Sequence, residues 1–157
     1  MTDNGTDGMD APESHLLGEI SRPATMAALP ELFDFVATIE KQEGFSNERI
    51  KQIETALEAA LENVVTRAYR NRSGEVKITC KHDPWGKLVV VITDTGEPSN
   101  ILLADVVFAG EEEAPGDEKM RATARLLKKT IDNIEYKRVD KENTLTFFVT
   151  GEVGARQ

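Results

Sequence analysis

Apolar residues recur first at helical and then at strand spacing along this chain, and the change of period locates its elements. Leu29, Leu32, Phe33, Val36 and Ile39 follow one helical face, with Pro30 suited to the first turn and Gly44 to the end. Ile50, Ile53, Leu57, Leu61, Val64 and Ala68 form a continuous stripe, predicting a second helix from Ser46 or Asn47 to about Tyr69. Asn71 to Gly74 reads as a turn. From there the period is two. Val76, Ile78 and Cys80 alternate with Lys77, Thr79 and Lys81, and Leu88 to Ile92 is an unbroken apolar run. The cluster His82 to Gly86 joins them as an antiparallel hairpin, with Trp85 as its cap. Met120, Ala124, Leu127 and Ile131 predict a helix over about 118–132, and Ile134–Val139 with Thr144–Val149 predict a last hairpin turning around Asp140 to Asn143. Leu16 to Ser21 suits a short opening strand.

Strands kept in hairpins, with helices gathered on one face, describe an α/β (α+β) two-layer sandwich with a mixed, mainly antiparallel sheet. Residues 95–117 interrupt it as a long loop carrying Gly, Pro and Glu around the apolar stretch Ile101 to Phe108. Loops of that length in a compact domain are usually functional or mobile.

The chain's 157 residues bound one domain, set at 16–152, between tails at 1–15 and 153–157. Residues 1–19 carry Asp3, Asp7, Asp10, Glu13 and Glu19 with no Lys or Arg, the composition of a disordered acidic tail. A net charge of −9 argues against a nucleic-acid surface, which needs clustered Lys and Arg. No apolar run reaches the roughly 20 residues that cross a bilayer, and no secretory signal opens the chain. A lone Cys80 excludes an internal disulfide, so a cytoplasmic setting without membrane attachment is expected. His15 and His82 stand isolated from other metal-ligand types, and no nucleophile–base set is visible.

Two polar positions change the picture. Asp94 follows the buried run of the second central strand, where a carboxylate costs free energy unless a donor satisfies it. A purine amine is one such donor, and Gly96 would let backbone approach the ring. A plain polar turn at Asp94–Pro98 is the other reading. Asn63 falls about 120° from the centre of the second helix's apolar stripe, on the border of its open face.

The chain resembles the RsbW/SpoIIAB-type anti-sigma factors, serine kinases of the GHKL class with a histidine-kinase-like ATPase (Bergerat) fold, from about Ile20 to Val149. The resemblance rests on Arg22-Pro-Ala-Thr-Met-Ala-Ala-Leu-Pro-Glu-Leu32, on Glu58-x4-Asn63-Val-Val-x2-Ala68-Tyr69, on Val91-Ile-Thr-Asp94-Thr-Gly96-x-Pro98, and on Ile134-Glu-Tyr136. It implies magnesium on Asn63, adenine on Asp94 with Gly96, and support for the adenine from Thr144. Two departures stand out. The family's catalytic Glu, four residues before the Asn, is Ala59 here. Its glycine-rich phosphate loop corresponds to Met120–Arg125, which has no glycine, so Arg121 and Arg125 are the candidate phosphate partners. The resemblance therefore implies a regulatory protein, acting as a homodimer on a sigma factor or a STAS-domain antagonist, with weakened ATP/ADP and magnesium binding. The alternative it leaves open is an active Mg-ATP-dependent serine/threonine kinase of a STAS-domain antagonist.

Overall fold

The computed structural model describes residues 14–150, so most of the two expected tails lies outside the described residues. The chain opens with strand β1 (His15–Pro23), followed by helices α1 (Leu29–Gln42) and α2 (Asn47–Asn63). The hairpin β2 (Glu75–His82) and β3 (Leu88–Asp94) follows, then the long loop, helix α3 (Glu118–Thr130), and the hairpin β4 (Asn133–Val139) and β5 (Glu142–Val149). The sheet order is β1-β2-β3-β5-β4, with every pairing antiparallel. The two-layer sandwich expected from the hydrophobic pattern is the fold observed.

Local chemistry sets the helix ends. Ser46 caps α2 by accepting the Arg49 N–H at 3.1 Å, and Pro30 sits in the first turn of α1. Gly44 turns the chain between α1 and α2 at a φ of +89°, which suits glycine. The predicted second helix is one element in sequence but two in structure. It is α-helical to Asn63, then passes into a π-helical turn over Val64–Ala68. Arg70 and Asn71, both left-handed, complete the reversal into β2.

The inward positions of the central strands (Ile78, Cys80, Val90, Ile92, Leu145 and Phe147) pack against Leu32, Val36, Ile53, Leu57, Leu61 and Leu127 of the helices. Such a face buries apolar surface at roughly 25 cal/mol per Å2, and it holds α2 over the middle of the sheet. The C-terminal ends of α2 and β3 consequently lie side by side under the long loop. No helix among the described residues is long and apolar enough to cross a membrane.

Candidate functional site

The register of β3 places Asp94 between Val76 of β2 and Asn143 of β5. On one side it meets an apolar residue, so its polar partner must come from the other. Asn143 supplies it, donating from Nδ2 to Asp94 Oδ1 at 2.8 Å. The Gly96 N–H donates to the same oxygen at 2.8 Å, closing a turn on the carboxylate. Asp94 and Asn143 are 5% and 4% exposed, and burial pushes the Asp94 carboxyl up from its ordinary range while the bonds from Asn143 and Gly96 oppose that shift. Asp94 Oδ2 takes no bond from the described residues.

Asn143 is itself fully used. Its amide also donates to the Glu97 carbonyl at 2.9 Å, and its Oδ1 accepts from the Tyr136 hydroxyl and from Arg138 Nη1. Tyr136 in turn accepts the Ser99 N–H at 3.3 Å, and Ser99 Oγ accepts from Asn63 Nδ2 at 3.3 Å. One chain of contacts thus joins Asn63, Ser99, Tyr136, Asn143 and Asp94. The two polar positions singled out in the sequence are brought into one network.

Gly96 lines a cleft of about 490 Å3 with Tyr69, Thr95 and Arg138, but its Cα packs against backbone. A Cβ there would lie 2.7 Å from the Ala68 carbonyl, and the Glu97 N–H donates to that oxygen at 2.8 Å. Tyr69 holds the same corner, donating to the Glu75 carbonyl at 2.6 Å and accepting the Thr95 N–H at 2.9 Å. The Ala68-Tyr69 pair is therefore what fixes the turn after Asp94.

The other half of the site lies between α2 and α3. Ala59, Asn63 and Thr66 face Lys119, Met120 and Thr123 across a space of only about 10 Å3. Glu62 lines the same space and pairs with Lys119, and Glu58 is exposed on the helix surface. The N-terminus of α3, where backbone N–H groups would meet a phosphate, is capped by Asp117, which accepts the Met120 N–H at 2.8 Å. Arg67 pairs with the same carboxylate at 2.5 Å, and this capping bond and Arg67 hold Asp117 below the usual carboxylate range. A side-chain carboxylate stands where an anionic ligand would be expected. Beside it lies an open cleft of about 500 Å3, lined by Thr66, Arg67, Arg70, Pro98, Ser99, Asn100 and Met120.

The remaining candidates are dispersed. Arg121 folds back onto the Gly116 carbonyl at 2.5 Å, and Arg125 is exposed further along α3. Thr144 pairs across from Thr93, on the sheet face opposite to Asp94. Its neighbour Asn143 reaches Asp94 instead. Asn143 was hidden because Asp140 to Asn143 reads as a turn, whereas the turn is Asp140 and Lys141, with Val139 paired to Glu142. Extending the alternation of Leu145, Phe147 and Val149 back by two residues would have placed Asn143 inward. Ser99 and Asp117 carried no signal in the sequence. Among the described residues, no group of three or more His, Cys, Asp or Glu is arranged to hold a metal ion.

The family described as the histidine kinase-like ATPase domain matches residues 22–149. A solved structure of the RsbU and RsbW domains of a Mycobacterium tuberculosis protein aligns over 85% of this chain, with a TM-score of 0.55 and 16% sequence identity, which shows a common fold. This chain spans 32% of that protein's chain. No curated protein gives a significant match.

Proposed function

The chain belongs to the histidine kinase-like ATPase family, and on that premise we propose that it is an anti-sigma-type regulatory protein that acts by binding a protein partner. The partner classes are a sigma factor or a STAS-domain antagonist, and the working unit is a homodimer. The observation that carries this reading is the wall facing Asn63. A general base must come within hydrogen-bond reach of the hydroxyl it deprotonates. The position for that base is the methyl group of Ala59, the space beside it holds about 10 Å3, and Glu62, the carboxylate that lines this space, is paired with Lys119.

Membership of an ATPase family implies nucleotide binding, generally with magnesium. The phosphate end as placed does not fit a magnesium-bound triphosphate, because Asp117 already occupies both the α3 N-terminus and Arg67. The adenine end keeps a usable acceptor in Asp94 Oδ2. Nucleotide binding is therefore weak and gains little from each added phosphate.

A thermal-shift series tests both statements. Adenosine, ADP and ATP should stabilise the chain to similar extents with or without magnesium; a ligand at 100 times its dissociation constant would add ~2.7 kcal/mol. Affinity capture without nucleotide should recover a sigma factor or STAS-domain protein. Magnesium-dependent ATP binding far tighter than adenosine, lost in Asn63→Ala and accompanied by phosphate transfer, would overturn the proposal. The second reading, an active serine/threonine kinase, draws on Asn63 Oδ1, which takes no bond from the described residues. If transfer arises only in Ala59→Glu, that reading fails for the parent chain.

A further inference from the structure

Within the long loop, residues 104–116 close on themselves. The Gly116 N–H donates to the Ala104 carbonyl at 3.1 Å, and a Cβ on Gly116 would lie 2.6 Å from that of Ala104, so glycine permits the neck. Asp105 pairs with Lys128 of α3 at 2.6 Å and ties the neck to the domain. Two turns shape the outer part, with the Val106 N–H on the Leu103 carbonyl at 3.1 Å and the Glu111 N–H on the Phe108 carbonyl at 3.0 Å. Compact loops with closed ends of this kind are frequently functional.

The loop sorts its apolar residues into two sets. Ile101 and Ala104 are buried against the domain, whereas Leu103, Val107 and Phe108 are 41%, 57% and 45% exposed. The second turn brings Phe108 next to Glu111, and Glu111, Glu112 and Glu113 are all exposed. Three large apolar side chains are thus held outward in the same loop as three exposed carboxylates, the composition of an interaction surface.

We propose that residues 103–113 are a docking platform for a basic amphipathic segment of a partner protein, with apolar residues on Leu103, Val107 and Phe108 and Lys or Arg beside the glutamates. Charge decides the occupant. A second copy of this chain carries the same three glutamates and a net charge of −9, so apposing two such loops would bring like charges together. A basic segment replaces that repulsion with attraction and covers the same apolar surface. The platform's neck ends at Gly116, directly before Asp117, which caps α3 and holds Arg67. Docking here therefore acts on the residues that close the phosphate end of the site. This inference rests on the partner-binding reading and names the partner's chemistry.

The test uses two synthetic helices, one of leucine and lysine at amphipathic spacing and one with glutamate replacing lysine, titrated into the isotope-labelled full chain. The basic helix should shift amide resonances concentrated in residues 103–113, and the acidic helix should not bind. Val107→Ser with Phe108→Ser should weaken binding roughly tenfold or more, as removal of central anchors does. Replacing Glu111, Glu112 and Glu113 by Gln should also weaken it and flatten its salt dependence. These residues are exposed, so an unchanged melting temperature identifies variants that still fold. Shifts elsewhere on the surface, or unaltered affinity in the double-serine variant, would overturn the proposal. So would self-association lost in that variant, since the occupant would then be a second copy. If a captured sigma factor or STAS-domain protein binds the double-serine variant unchanged, this platform fails while the proposed function stands. Peptide binding at the platform with neither partner captured gives the converse result.

Discussion

At its N-terminal end α2 carries Arg49, 2% exposed, whose guanidinium donates to the Thr150 carbonyl at 3.1 Å, the Thr130 carbonyl at 3.0 Å and Gln52 Oε1 at 3.0 Å, and lies 3.5 Å from Asp132. At its C-terminal end α2 carries Asn63, which makes one long bond to Ser99 before the helix widens into a π turn. The first end is a junction tying α2 to the ends of α3 and β5, with a bond from each guanidinium nitrogen. The second keeps oxygens on Asn63 and Asp94 that no described residue satisfies. Buried polar groups that are completely paired specify structure. The oxygens left open on Asn63 and Asp94, next to an irregular helix turn, are where the proposed function places a ligand. The difference separates frame from site along a single helix.

Breaking the frame should have the largest effect. Arg49→Met removes the buried guanidinium from two carbonyls and from Asp132, which keeps its bonds from Thr150, and should cost about 3–5 kcal/mol in chemical denaturation. The same substitution should leave resonances around Asp94 in place if the two ends are independent. Beside that junction, Glu40 breaks the pattern of complete pairing: it is 1% exposed and its Oε2 has no hydrogen-bond partner. Burial pushes its carboxyl up to about 8, with Arg49 opposing and Glu54 reinforcing. An acid whose folded value lies above its unfolded one favours the fold when protonated. Its contribution is complete below the ordinary carboxylate range and is lost as pH rises toward 8. Glu40→Gln should therefore raise stability by about 2–3 kcal/mol near pH 8, and leave it unchanged near pH 4, in paired denaturation curves.

At the site end the effect should be smaller. Asn143→Ala removes one of the two donors on Asp94 and should cost about 1–2 kcal/mol. It should also raise the Asp94 carboxyl further, because burial is then opposed by fewer bonds; a carbon-detected titration of Asp94 would show it. A titration unchanged from the parent would mean that Asn143 does not support Asp94 in solution.

The sandwich was legible because burial on one face writes itself into spacing. The stripe from Ile50 to Ala68 and the alternation from Val76 to Cys80 each point one way. The cap at Ser46 and the first-turn Pro30 were equally plain, since each satisfies or spares helix-end groups locally. The π turn was not, because Val64–Ala68 continues the apolar stripe without a break. Within the site, Asp94 and Asn63 could be singled out by their position at the edge of buried surface. Arg67 and Asp117 could not, because residues fifty positions apart meet only after α2 and α3 pack.

By itself the sequence determined the order of elements, the inward faces, and the absence of a carboxylate at position 59. Those follow from local periodicity and residue identity, which survive without knowledge of distant neighbours. Only the tertiary structure decided which group satisfies Asp94, that Asn143 rather than Thr144 faces it, and that Asp117 occupies both Arg67 and the start of α3. A one-residue difference in strand register moves a side chain to the other face of the sheet, and a pairing between two helices is set by the core beneath them. Long-range geometry, not residue type, chose the partners.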